Sequence, residues 1–465
     1  MTTTQGQLDE RALTELTTAF HGDVIRPGDP SYDLHRAIWN GSIDRRPEVI
    51  LRCAGVADVR DAVAFARRTG LPAAVRGGGH SFPGHSTCDG GVVIDLSRLR
   101  GIRVDPVRRT ARAEAGVLLG ELDRETQQFG LGVPAGIVTH TGLAGLTLGG
   151  GIGWLMRKYG LTIDQLLSVD LVTASGEFVT ASADENPELF WGVRGGGGNF
   201  GVITSFEFRL NPVGPEVYAG PVIWPMEDSA DVLRFYREWI ADSPDELTTI
   251  VSFRRIPELP TLPAELHGRP AVYVIACWCG PIVEGAALLA PLKAFGTPLL
   301  DLCTPKPFVE HQAMFDPSFP HGRWVYTRSS DVGPMTDDLL GTAAECGTTI
   351  DPGLSSYVIF QLGGALARVP AEATAYGART SAHTVNIVGM TLTEDGFEEQ
   401  RDWVRRSSKL FEPYRTGVYV NFLGDEGSER VQEMYGDASY KRLQSLKRQY
   451  DPDNLFRLNQ NIPPD

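Results

Sequence analysis

No stretch of this sequence approaches the roughly eighteen consecutive apolar residues of a membrane span, so no helical membrane anchor is expected. Nor is there a block of Lys or Arg: 43 basic against 58 acidic residues leave a formal charge of -15. That charge repels phosphate backbones and anionic lipid surfaces, so neither nucleic acid nor a membrane is an expected partner. Cysteine is scarce, and Cys53, Cys88, Cys277, Cys279, Cys303 and Cys346 form no CxxC pair. Such scatter fits neither a disulfide framework nor a zinc site; no metal is expected, and a reducing, cytoplasmic location is. The opening Met1-Thr-Thr-Thr-Gln-Gly-Gln-Leu-Asp lacks the basic start and apolar stretch of a secretory signal, which agrees with that location. Two nucleotide fingerprints are also missing. No G-x-G-x-x-G opens a helix with an acid about twenty residues on, and no G-x-x-x-x-G-K-[ST] occurs, which excludes a nicotinamide Rossmann enzyme and a P-loop NTPase.

What is present is an ordinary globular composition, 42% hydrophobic and 22% charged, over 465 residues. That is more chain than one core usually serves, so two domains are expected. Apolar residues at helical spacing over 55–69 end at Gly70, with apolar runs at 49–53 and 72–75 on either side, a strand-helix-strand opening. Short β-type runs recur at 92–96, 102–104, 110–115, 169–173 and 202–210, with a helix near 118–128. Past Asn211-Pro-Val-Gly-Pro215 longer strands (217–224, 271–278, 357–362, 385–390) alternate with amphipathic helices near 229–241, 282–295, 336–346 and 395–410. A helix at 438–449 and an extended ending return to the first half. The fold class is α+β, with one domain expected from 1–212 and 412–465 and the other from 213–411, the latter an α/β layer on an antiparallel sheet.

Glycine concentrates in three places: Arg76-Gly-Gly-Gly-His-Ser-Phe-Pro-Gly-His85, Gly142-Leu-Ala-Gly-Leu-Thr-Leu-Gly-Gly-Gly-Ile-Gly153 and Arg194-Gly-Gly-Gly-Gly-Asn-Phe-Gly201. Each glycine costs backbone entropy on folding. Tight turns are one reason to bear that cost; the other is a concave nest of bare N–H groups around an anion. Three clusters in one half of the chain favour a diphosphate ligand.

These segments resemble the FAD-linked oxidases of the vanillyl-alcohol oxidase / para-cresol methylhydroxylase superfamily, in their berberine bridge enzyme-like branch. The resemblance rests on Arg76-Gly-Gly-Gly-His80-Ser, Asp89-Gly-Gly-Val-Val-Ile-Asp-Leu96, Gly149-Gly-Gly-Ile-Gly153 with Lys158-Tyr-Gly-Leu161, Pro187-Glu-Leu-Phe-Trp-Gly-Val-Arg-Gly-Gly-Gly-Gly-Asn-Phe-Gly201 and the closing Tyr450-Asp-Pro…Asn459-Gln-Asn-Ile-Pro-Pro464. It implies the two-domain vanillyl-alcohol oxidase-type fold and an FAD held by Arg76, Gly77, Gly78, Gly79, His80, Ser81, Gly84, His85, Val138, Thr141, Gly142, Gly149, Gly150, Gly153, Tyr159, Gly160, Val202, Asn459 and Asn461. It also implies an 8α-histidyl bond from His80, which requires an unprotonated imidazole because imidazolium is no nucleophile. Many members add a cysteinyl link in a Pro-Ala-Gly-x-Cys pattern. Here the line reads Pro134-Ala-Gly-Ile-Val138-Thr-His-Thr-Gly142, and valine at the cysteine position leaves a single bond, as in singly linked bacterial members.

The implied activity is hydride removal from a small alcohol, amine or polyketide-type secondary metabolite, with electrons passed to dioxygen. Flavin-dependent monooxygenation and a dehydrogenase remain open alternatives. Thr141 falls at the family's oxygen gate, where its valine-like volume allows dioxygen. The family's Tyr-x-Asn-Tyr segment reads Tyr419-Val-Asn-Phe422 here, so the expected catalytic phenol is a phenyl ring. Tyr419, Gln361, Tyr357 and His140 are the candidates for the missing proton-handling role. Trp224, Trp278, Trp324 and Tyr326 are candidates for an aromatic pocket, with core packing as the other reading. Expected partners are the small-molecule substrate and dioxygen, for a monomer or homodimer.

Overall fold

Strands whose residues are nearly all apolar need cover on both faces. Val49–Arg52 and Val92–Asp95 obtain it at the centre of a four-stranded sheet ordered Asp23–Ile25, Val49–Arg52, Val92–Asp95, Ala73–Arg76, in which the last three strands run parallel. The structure is a computed structural model that describes residues 10–350, 353–424 and 426–464. The opening residues on which the missing leader was read lie outside that range. The expected helix over 55–69 is Val56–Thr69; it buries Val59, Ala62, Val63, Phe65 and Ala66 and stops at Gly70, whose φ of 67° takes the left-handed cap.

A second sheet of five antiparallel strands follows, ordered Ile102–Asp105, Thr110–Glu114, Val202–Arg209, Leu166–Val172, Phe178–Ser182. The remaining chain builds a nine-stranded antiparallel sheet. Its order is Leu300–Asp301, Glu216–Pro225, Pro270–Trp278, Leu247–Arg255, Ser356–Gln361, His383–Thr391, Trp324–Val332, Arg415–Gly417, with Thr304–Pro307 also paired to Glu216–Pro225. Two of these long strands, Leu247–Arg255 and Trp324–Val332, are absent from the sequence reading, because their polar residues interrupt the apolar pattern that marked the others.

Alternation along each strand sorts side chains onto two faces. Val251, Phe253, Tyr357, Ile359, Val385 and Ile387 meet the apolar sides of helices Ser229–Ile240, Ile282–Ala294, Asp337–Thr348 and Phe397–Leu410 in a separate core. Ser252, Arg254, Ser356, Val358, Phe360, Asn386 and Val388 face the other way, toward the glycine-rich loops. The chain then returns through Ser428–Tyr450, bent at Gly436, to pack on helix Pro187–Val193 with Arg442 paired to Glu188 at 2.7 Å. The closing segment is fixed by a fully buried ion pair, Lys447 to Asp451 at 2.6 Å. Asp451 also accepts from the N–H groups of Leu455 and Phe456, and Ile462 N–H donates to Asn199 Oδ1 at 3.0 Å. The tail is thus bound to the third glycine cluster, and no described helix is long and apolar enough to cross a membrane.

Candidate active site

The first glycine cluster leaves the parallel sheet at the carboxyl end of Ala73–Arg76, where open α/β sheets place their binding crevices. Arg76 is buried, and its guanidinium donates to the carbonyls of His35, of Arg36 at 3.2 Å and of Ser86 at 3.3 Å. It braces the loop and does not line the cavity beyond. Gly77, Gly78, Gly79, His80, Ser81 and His85 do line it, together with Val138 and Thr141 from the Pro134–Gly142 line, Gly142 and Gly149 from the second cluster, Gly196–Asn199 from the third, and Asn459 from the tail. The cavity measures about 350 Å³, the scale of a small-molecule site.

The loops that form it approach backbone to backbone. A Cβ on Gly78 would strike Gly142, and one on Gly142 would strike Gly78, so here the glycines serve close packing. Gly145 and Gly198 line the cavity with no atom within 4 Å of a Cβ position, leaving bare backbone toward it. Asn459 Oδ1, on the cavity wall, is a buried acceptor without a protein partner, the kind of group a ligand satisfies; Asn461, also expected there, does not line the cavity. An elongated ligand with a diphosphate and a polar ring system fits these residues.

His80 sits beneath Trp39, whose ring stacks on it at 4.6 Å and 19°. Its Nε2 lies 2.7 Å from Nδ1 of His140, and the ring of His321 stands 5.1 Å from that of His140. Burial first, and then the two neighbouring imidazoles, hold His80 well below the ordinary imidazole value; His140 is lowered for the same two reasons. His80 is therefore neutral at neutral pH. The absence of a metal was expected from cysteine spacing alone, yet the ring nitrogens of His80, His140 and His321 all lie within 4.8 Å of one another. Trp39 and His321 were not singled out in the sequence; they meet His80 only because loops near 40 and 320 pair, Gly322 N–H to Trp39 O and Gly41 N–H to Arg323 O.

The remaining expected residues lie elsewhere. Gly84 accepts at its carbonyl from Arg45. Gly150 packs against Tyr376, Gly153 against Ala135 and Gly160 against Asp164. Tyr159 donates to Pro212 O at 2.7 Å, and Val202 points away from the cavity, which its neighbours Gly201 and Ile203 line. These six shape the loops and do not reach the cavity wall.

Of the four proton-handling candidates, Tyr419 lines the cavity and His140 reaches it through His80. The oxygen of Tyr419 accepts from Gly151 N–H at 3.0 Å, Ile152 N–H at 3.3 Å and Asn421 Nδ2 at 2.8 Å; burial pushes its phenol up to about 12 against those donors. It is a fixed, protonated group at neutral pH. Tyr357 and Gln361 project to the helix-covered face. Tyr357 stacks on Phe253 at 4.8 Å, and Gln361 bonds Thr249 and Ser243, so the sheet separates both from the cavity. The same alternation removes the expected aromatic pocket. Trp224 and Trp278 belong to the core under the helices, Trp324 meets Phe397 edge-on, and Tyr326 lies under Arg401 and Arg405. Phe315, Phe319, Val358, Phe360 and Phe422 supply the apolar wall instead.

Comparison with known proteins agrees with this arrangement. Residues 47–182 match the FAD binding domain model, and residues 418–463 match the model described as berberine and berberine like. An FAD-linked oxidoreductase of Dictyostelium discoideum is 33% identical over 458 residues, covering 97% of each chain. The chain belongs to the berberine-like FAD-linked oxidoreductases. Another member, (R)-6-hydroxynicotine oxidase of Paenarthrobacter nicotinovorans, is 30% identical, covering 96% of this chain and 98% of its own. The crystal structure of 6-hydroxy-D-nicotine oxidase from Arthrobacter nicotinovorans superposes with a TM-score of 0.87 at 30% identity, over 96% of this chain and 98% of that one. The α+β, vanillyl-alcohol oxidase-type fold is therefore the fold of this berberine-like protein, and the protein is an FAD-dependent enzyme of the oxidase type.

Proposed function

We propose that this oxidoreductase carries its FAD on His80 through a single covalent bond and oxidises a small alcohol, amine or polyketide-type secondary metabolite at the expense of dioxygen. The observation that carries the reading is the enclosed, neutral imidazole of His80 at the cavity wall, with Val138 as the nearby wall residue at the position of the second link. Gly77–Ser81, Gly142, Gly196–Asn199 and Asn459 would hold the cofactor. Bound FAD supplies the hydride acceptor and the route to dioxygen.

The chain's own residues prepare that site. His140 engages Nε2 of His80; when His80 donates its Nε2 proton to His140, its Nδ1 carries the lone pair and is the nucleophilic nitrogen. Trp39 fixes the ring plane. Tyr419 holds the Gly149–Gly153 turn by accepting from Gly151 and Ile152 N–H, and Thr141 contributes a small side chain to the wall, which supports access for dioxygen. The relative named for 6-hydroxynicotine oxidation supports an oxidase acting on a small molecule. Six unpaired thiols, five of them buried, support a cytoplasmic enzyme, read as a monomer or homodimer.

The test is anaerobic addition of candidate alcohols and amines to the purified yellow protein, followed by air. Bleaching, then recovery of colour with one hydrogen peroxide per turnover, is expected. Bleaching that air does not reverse would point to a dehydrogenase and overturn the oxidase reading.

A further inference from the structure

Arg254 is the one Asp, Glu, Lys or Arg among the described residues lining the cavity. It forms no ion pair among the described residues. Its Nη2 donates to Ser318 Oγ at 3.0 Å, while its Nε is buried without a partner. Two more buried groups on the same sheet face are equally unsatisfied. Ser252 lies two residues earlier on the strand, and Tyr273 stands directly across from Ser252 on the neighbouring strand; Ser252 Oγ and Tyr273 Oη both lack partners. Burial pushes the Tyr273 phenol up to about 12, so it stays protonated and can donate at neutral pH. A buried unpaired guanidinium is costly and is retained where a ligand completes it. Arginine can only donate, so the missing partner is an acceptor. Around this cluster the wall is apolar and aromatic, from Phe315, Phe319, Val358 and Phe360.

We infer that the substrate carries a carboxylate on an apolar or aromatic body, and that Arg254, assisted by Ser252, binds that carboxylate, with Tyr273 behind Ser252 on the neighbouring strand. This deepens the proposed function by naming the substrate class, and it rests on that reading only for where the substrate lies. Binding places the acid on the sheet side of the cavity. The guanidinium gains a charge-assisted partner at Nε, and the Ser252 hydroxyl donates to a remaining carboxylate lone pair.

The test needs binding, not turnover. The flavin-loaded protein is titrated at neutral pH with phenylacetate, cinnamate and octanoate and with their uncharged amides, reading the perturbation of the flavin absorption band. A charge-assisted hydrogen bond in a desolvated site is worth roughly 10-fold or more in affinity. The acids should therefore bind at least about 10-fold more tightly than the amides. In Arg254→Met the preference should fall to near 1 with amide affinity kept, and Arg254→Lys should restore part of it. Ser252→Ala, a milder change, should reduce acid binding several-fold. Equal affinities for acids and amides in the wild-type protein would overturn the inference without any variant being made, as would failure of all six ligands to perturb the flavin. A preference that survives in Arg254→Met, with an altered flavin spectrum in the absence of ligand, would show that Arg254 serves the cofactor instead. Failure of the oxidase reading registers separately, as colour that no substrate bleaches.

Discussion

Along Leu247–Arg255 successive residues meet two different surroundings. Val251 and Phe253 sit among the helices of the second core, whereas Ser252 and Arg254 face the cavity. On the helix face apolar volume is what counts, and polar atoms such as those of Gln361 and Thr249 are paired within the protein. On the cavity face polar atoms are left unsatisfied by the protein itself. The contrast teaches that an unpaired polar group is informative only once its face is known: Arg254 Nε opens on a ligand site, whereas the unpaired Tyr357 hydroxyl is enclosed by core.

The largest expected effect lies on the helix face. Phe253 is fully buried against Tyr357 and the backbone of Gly347. Phe253→Ala should cost about 3–5 kcal/mol in denaturant unfolding, while the flavin content of the folded fraction stays unchanged. Loss of flavin with little loss of stability would break the comparison.

Next is a pH dependence. Burial raises the carboxyl of Asp331 to about 7, against the Thr384 hydrogen bond and the charge of Arg430, which lower it; Asp123 is raised to about 7 by burial as well. An aspartate in the unfolded chain titrates near 4, so the native state keeps these protons longer. Their stabilisation is complete below about pH 4 and is lost as pH rises to about 7. Unfolding free energy should fall over that window, and Asp331→Asn should flatten the fall. An unchanged slope would deny that Asp331 is neutral in the fold.

The two smallest effects sharpen the contrast. Tyr357→Phe removes a buried hydroxyl that has no partner, so stability should hold or rise by about 1 kcal/mol with turnover unchanged. A large loss of kcat would return Tyr357 to the list of proton-handling groups. Ser252→Ala on the other face should change stability by less than about 1 kcal/mol, with its effect confined to ligand binding.

Local pattern made much of the fold legible. The helix over 55–69, the strands flanking it and the alternation past residue 215 follow from apolar spacing, and the glycine clusters and His80 from motif. The missed strands and the misplaced candidates share one cause. Polar residues such as Ser252, Arg254 and Ser329 broke the apolar run and hid the strand, while nothing in the sequence states which alternate face of a strand a cavity will occupy. Tyr357 and Gln361 were therefore as plausible as Ser252 and Arg254 until the sheet was closed by its helices. His321 and Trp39 depend on contact between loops some 280 residues apart, beyond any local signal, although Ser252 and Arg254, polar at alternate positions of an otherwise apolar stretch, could have marked the cavity face.

The central claim is a flavin bonded to His80 alone, and acid precipitation of the purified protein tests it most directly. Yellow colour should stay in the pellet, map by peptide mass to the segment containing His80, and disappear from the pellet in His80→Ala. Colour released to the supernatant, or mapped to any other residue, would contradict the account.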